Sequence, residues 1–182
     1  MSTQNISANE ALKKLKDGNE RYLKSQNYSG DISPELREKT CREGQTPYAI
    51  VITCADSRVI PECIFDCGIG EIFVIRVAGN VVDDFVLGSV EYAAEHLGSK
   101  LVVVMGHTHC GAVGAALHDD PDGHVKAITD VIKSAVGGET DEDKACRLNV
   151  ENSVRVITSA LDDDTTVCSA IYHLEDGCVE FF

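Results

Sequence analysis

The amino-acid sequence predicts an α/β fold built on a mainly parallel sheet, and three observations predict it. Short β-branched runs recur at 48–53, 72–77, 101–105 and 166–172. Stretches with helical periodicity separate most of them, the alternation that βαβ units with right-handed crossovers produce. Two of the runs, YAIVIT and LVVVM, are nearly continuous apolar stretches, as strands covered on both faces of a parallel sheet must be.

The elements follow in order. The first 40 residues are polar and helical in texture. Ser7 is followed three residues later by Glu10, a capping box, and Ala11, Leu12, Leu15, Tyr22 and Leu23 then supply a partial apolar stripe. Ser33 before Pro34 marks a second helix start, with proline at the first helical position. After the strands at 48–53 and 72–77, a helix is expected over 84–97 (DFVLGSVEYAAEHL), then the strand at 101–105. Helices over 112–117, 125–136 and roughly 141–161 precede the strand at 166–172. Asp176-Gly177 reads as a hairpin turn into a short antiparallel strand at 178–182. No repeat, low-complexity tract or long Pro/Gly linker divides the chain. Residues 1–182 therefore read as one domain, a helical arm over 1–45 followed by an α/β core over 46–182.

Composition narrows the function. A length of 182 residues suits one sizeable core, and 43% hydrophobic residues exclude a disordered acidic tail. Sixteen Lys+Arg against 30 Asp+Glu leave a net charge of −14. That balance argues against a nucleic-acid or anionic-membrane partner, because phosphate contacts need clustered cations. No apolar run approaches the ~20 residues of a membrane span. The opening segment MSTQNISANEALKKLKDG has no apolar signal core, so a cytoplasmic location is expected. Eight cysteines fall well below the roughly 8–10% that marks a small disulfide scaffold, and in a reducing compartment they stay thiols.

Open α/β sheets place their chemistry beyond the carboxyl ends of the strands. There the first strand runs into Cys54-Ala55-Asp56-Ser57-Arg58, and the third into Gly106-His107-Thr108-His109-Cys110-Gly111. Two thiolates and an imidazole, Cys54, His107 and Cys110, form a three-ligand set for tetrahedral zinc with the fourth position left for water. Taken alone, H-x-x-C fits buried apolar cysteines and a core histidine; paired with C-x-D-S-R at a second strand end, it reads as a metal site. Asp56, two residues past one ligand, reaches the metal or its water, and Arg58 is the cation that holds it ionised.

These residues carry a resemblance. The segments CADSRVIPECIFDCGIGEIFVIRVAGN (54–80) and GHTHCGAVGAA (106–116) resemble the β-class carbonic anhydrases, with further likeness over 11–22 and 170–182. The resemblance implies zinc, one ion per subunit, on Cys54, His107 and Cys110. It implies reversible hydration of CO2 to bicarbonate and a proton through zinc-bound hydroxide, with Asp56 and Arg58 as the catalytic dyad. Gln45 matches a glutamine that contacts bicarbonate, Phe73 an aromatic lining the CO2 pocket, and Gly111 backbone close to the metal. Tyr92 matches a pocket tyrosine arriving from the partner subunit. A homodimer or higher even oligomer is therefore implied, with a four-stranded parallel sheet and N-terminal helices wrapping a second subunit.

Some members of that family are switched by bicarbonate at a second site that uses a Trp three residues before the first zinc cysteine. Here that position is Val51 and the chain has no Trp; only Arg76 of that set remains, so no such switch is expected. His109 is expected to face solvent, with proton shuttling as its alternative. Cys41, Cys63, Cys67, Cys146, Cys168 and Cys178 have no matching ligand partners and need no function; Cys63 and Cys67 lie four apart, where burial as small apolar residues is expected over a second metal or redox pair. Two rival functions stand beside the main one. A same-fold zinc hydrolase would act on carbon disulfide or carbonyl sulfide, and a non-enzymatic acidic module would hold zinc in a closed four-ligand site.

Overall fold

The computed structural model describes residues 6–25 and 27–182. Residues 1–5, which open the segment read for a signal core, and Gln26 lie outside the described residues. The elements are α1 (Ala8–Lys24), α2 (Pro34–Glu43), β1 (Ala49–Thr53), α3 (Pro61–Ile64), β2 (Ile72–Arg76) and α4 (Asp84–Glu91), followed by β3 (Leu101–His107), α5 (Gly111–His118), α6 (Gly123–Val136), α7 (Glu142–Ala160), β4 (Thr166–Tyr172) and β5 (Val179–Phe181).

The local signals act where they stand. Ser7 Oγ accepts the Glu10 N–H at 3.3 Å while Glu10 Oε2 accepts the Ser7 N–H at 3.0 Å, which closes the capping box of α1. Ser33 caps α2 through the Leu36 N–H, with Pro34 at the first position. The helix expected over 84–97 is α-helical only to Glu91 and then widens into a π turn over Tyr92–His96. That turn sets the Tyr92 ring 5.5 Å from His96 and 6.2 Å from Phe73.

The strands form one sheet in the order β2-β1-β3-β4-β5, the first four parallel and β5 antiparallel to β4. β3 runs two residues further than its apolar run, because Gly106 and His107 pair with Ile171 and Tyr172. His107 is thus a strand residue and not the first residue of a loop. Side-chain alternation divides the core into two layers. Ile50, Ile52, Val102 and Val104 pack toward α4–α7, whereas Val51, Leu101, Val103 and Met105 pack with Ala11 and Leu15 of α1. Each of these fully buried Val, Ile, Leu and Met side chains contributes roughly 1.5–3 kcal/mol. Strands β1 and β3 are buried throughout, while β2, at the edge, leaves Phe73, Val74 and Ile75 half-buried.

The two described helices of the region read as an arm differ in how they are held. α1 belongs to the core of its own chain: Gly18 lies so close to α3 that a Cβ there would sit 1.9 Å from the Phe65 carbonyl oxygen. Asn19 beside it donates to the Ile64 and Gly177 carbonyls and accepts the Val179 N–H. α2, by contrast, buries no residue. No described helix is long and apolar enough to cross a membrane.

Candidate metal centre

The carboxyl ends of β1 and β3, adjacent and parallel, bring Cys54, His107 and Cys110 together. Their donor atoms lie within 4.8 Å of one another, small enough for one ion with bonds of ~2.0–2.3 Å. All three side chains are buried, His107 completely. Among the described residues this is the one cluster of three or more such donors.

His107 is prepared as a ligand by its own strand end. Its Nδ1 lies 2.8 Å from the Thr108 carbonyl oxygen, to which it donates, so the lone pair belongs to Nε2. That buried Nε2 has no hydrogen-bond partner. An orphaned imidazole nitrogen between two thiols is costly in an apolar core, and a soft cation answers it. Charge points the same way. The Cys110 thiol beside Cys54, outweighing burial and aided by the His107 ring and the Gly79 N–H, pulls Cys54 down to about 4. The Cys110 thiol is pushed well above its ordinary range, first by the neighbouring Cys54 and then by burial, despite N–H groups of Val113 and Ala112 that favour its thiolate. Ionisation of Cys54 therefore disfavours that of Cys110, and a divalent cation between them would favour both thiolates. The residues therefore fit zinc, with three protein donors and an open fourth position.

Asp56 stands beside the cluster but turns away from it. Its Oδ1 accepts Arg58 Nε at 3.0 Å and the Arg58 N–H at 2.9 Å, and its Oδ2 accepts Arg58 Nη2 at 2.8 Å. This two-pronged grip holds its carboxyl down at about 2. Oδ2 still lies 3.9 Å from His107 Nε2, at the rim of the cluster.

The remaining sequence-predicted residues divide. Gly111 follows Cys110 directly and opens α5 into free space, where an added Cβ would meet nothing within this chain. Gln45, Phe73 and Tyr92 gather elsewhere, along the β2 edge. Gln45 and Tyr92 line one shallow cavity of about 590 Å³ with Arg37, Cys41 and Leu97, and the Phe73 ring meets Tyr92 at a tilt of 44°. Phe73 stands level with Ile50, four residues before Cys54, which is about 13 Å along the sheet at ~3.3 Å per residue. The structure does not bring these three to the cluster of their own chain.

Sequence reasoning missed the groups that brace the site. Arg76, read as the remnant of a switch, donates to the Cys54 carbonyl at 3.2 Å and the Asp56 carbonyl at 2.7 Å. The Gly79 N–H donates to Cys54 Sγ at 3.3 Å, and Asn149 and Ser153 of α7 hold the carbonyls of Gly79 and Asn80. Gly79 has φ 67°, and a Cβ would approach Ile132 to 2.8 Å, so only glycine fits there. The arginine after a strand and the Ala-Gly-Asn turn were the available signals. All eight cysteines are free. Burial pushes Cys67 up to about 12 and Cys146 up to about 11, as inert core thiols require. Cys67 is engaged by the Tyr48 hydroxyl at 3.0 Å.

Comparison with known proteins points in one direction. The family model for carbonic anhydrase matches residues 49–179. Carbonic anhydrase 2 of Mycobacterium tuberculosis is 37% identical, the alignment covering 92% of this chain and 89% of the relative. The carbonic anhydrase of Mycolicibacterium smegmatis is also 37% identical, over 93% and 91%. Among solved structures, a β-carbonic anhydrase of Sordaria macrospora described as tetrameric superposes with TM-score 0.74 at 26% identity, covering 82% of this chain and 87% of that one. A Coccomyxa β-carbonic anhydrase in complex with acetazolamide gives TM-score 0.65 at 28% identity, over 84% and 86%.

Proposed function

Because the chain belongs to the β-carbonic anhydrase family, we propose that it catalyses the reversible hydration of carbon dioxide to bicarbonate and a proton at Cys54, His107 and Cys110, with one zinc per subunit. The observation that carries this is the buried, orphaned Nε2 of His107 between two thiols, beside a carboxylate held by arginine. Zinc bound there supplies Lewis acidity that lowers the pKa of water from about 15.7 toward 7, blunted by two electron-rich thiolates.

The protein's own groups do the rest. Arg58 keeps Asp56 ionised and turned aside from the three donors that would hold the zinc. Asp56 Oδ2, at the rim, accepts a hydrogen bond from the attacking water and aims its lone pair at carbon. Arg76 fixes the backbone between Cys54 and Asp56, so that ligand and acceptor keep one spacing. Phe73 and Tyr92 form the apolar wall for CO2, and the Gln45 amide contacts bicarbonate; both come from the partner subunit across the β2 edge. The working form is thus a homodimer or a higher even oligomer. Thiol ligands that must stay reduced suit the cytoplasm.

The test is zinc content together with stopped-flow CO2 hydration, on wild type and Cys54→Ser. Wild type is expected to hold one zinc per subunit and to hydrate CO2. Cys54→Ser is expected to lose the metal and at least ~10³-fold in kcat/KM, close to the contribution of a Lewis acid worth several kcal/mol. Wild type that binds zinc without hydrating CO2 would sink the proposal.

A further inference from the structure

Glu175 belongs to none of the groups assigned above. It lies in the loop between β4 and β5, yet its carboxylate spans the two residues that separate His107 from Cys110. Oε2 accepts the Thr108 hydroxyl at 2.9 Å, and Oε1 lies 2.8 Å from His109 Nε2. The plain alternative is a surface ion pair, since the Glu175 and His109 side chains are 54% and 63% exposed, and such pairs contribute little. Thr108 argues otherwise. It is buried, its hydroxyl also accepts the Leu174 N–H at 3.0 Å, and its own N–H donates to the Tyr172 carbonyl. Every polar group of Thr108 is thereby committed, and its carbonyl is the acceptor that sets the His107 tautomer.

The second arm of the carboxylate acts on His109. This residue has φ 53°, a left-handed conformation that a non-glycine residue keeps only where its surroundings fix it. The ring is held by Glu175 and the carbonyl accepts Arg58 Nη2 at 3.2 Å. One hairpin carboxylate therefore bears on a metal ligand through Thr108 and on the Arg58 seat through His109.

We propose that Glu175 is a positioning residue of the metal centre, fixing the Thr108-His109 turn and with it the orientation of His107 and the reach of Arg58. The proposal rests on the reading of Cys54, His107 and Cys110 as a zinc site. A ligand ring loses affinity when the groups orienting it are removed, typically by 10–100-fold.

The experiment uses chelator competition for zinc and the visible absorption of the cobalt(II)-substituted protein, on wild type, Glu175→Ala and Glu175→Gln. Glu175→Ala is expected to bind zinc at least ~10-fold more weakly and to shift the cobalt bands. Glu175→Gln, whose amide oxygen still accepts the Thr108 hydroxyl, is expected to recover most of both. Unchanged affinity and spectrum in Glu175→Ala overturn the proposal, as does a Glu175→Gln variant no better than Glu175→Ala. If Glu175→Ala fails to fold, Thr108→Val breaks the same link from the other side and is read in the same way. Wild type that binds neither ion overturns the zinc reading itself; wild type that binds both while the variants match it overturns the role of Glu175 alone.

Discussion

The carboxyl ends of β1 and β3 and the edge strand β2 are opposite in character. At the strand ends, the polar groups of the cluster and its rim are answered within the same chain: Asp56 by Arg58, His107 Nδ1 by Thr108, Cys54 Sγ by Gly79. Along β2 and the helix after it, apolar side chains lie open. Phe73 is half-buried, Tyr92 is 48% exposed and Phe85 is 87% exposed. The difference teaches that one chain gathers three metal donors and the Asp56–Arg58 pair by itself but leaves its β2 edge apolar and open. A parallel sheet that ends on an apolar edge presents a surface for pairing with another chain.

The largest expected effect tests that division directly. Cys54→Ser removes the chemistry, and the double variant Gln45→Ala/Tyr92→Ala removes the pocket wall, with an expected loss of about 10²-fold from misplaced substrate. If the wall of each site comes from the partner, mixing and re-forming dimers restores activity. About half the dimers are mixed and each holds one intact site, so roughly a quarter of wild-type turnover returns. Activity that stays at the sum of the two parents would put the wall and the metal in the same chain.

Next in size is Arg58→Ala, which acts on the closed side of the comparison. Asp56 loses its grip on both oxygens, and kcat/KM is expected to fall by about 10²-fold while zinc content stays at wild-type level. Loss of metal in parallel with activity would mean that Arg58 supports the ligand turn instead, through its bond to the His109 carbonyl.

What was legible in the sequence follows from how local each signal is. The Ser7 and Ser33 caps and the buried β1 and β3 runs are written within a few neighbouring residues, and the structure has them all. The cluster of Cys54, His107 and Cys110 was legible because two short motifs end adjacent strands. The π turn after Glu91 was not, because periodicity over one turn does not register the extra residue. Nor was Arg76, whose partners are two backbone carbonyls on another strand end. Glu175 lies in a stretch read only as a hairpin turn; its contact to Thr108 crosses 67 positions and exists only once β4 pairs with β3. Gln45, Phe73 and Tyr92 were named from likeness alone, and folding one chain brings them to one another without bringing them to Cys54, His107 and Cys110.

The smallest effect separates the two regions by acid. Gln45 and Phe73 do not titrate, whereas Asp56 sits at about 2, chiefly because of Arg58 and against the opposing pull of burial. Its unfolded value is near 3.9, so the folded state favours the carboxylate, and that stabilisation is complete above pH ~4. As pH falls toward about 2 the proton binds both states and the contribution disappears. Arg58 is half exposed, so solvent screening reduces the contribution to about 1 kcal/mol. Chelator-stripped protein removes the separate acid sensitivity of thiolate–metal bonds. In urea unfolding of that form, Asp56→Asn is expected to be about 1 kcal/mol less stable than wild type at pH 6 and indistinguishable from it near pH 2. A difference that persists undiminished at pH 2 would trace to the shape of the side chain, and the ion pair would then hold the site's geometry without stabilising the fold.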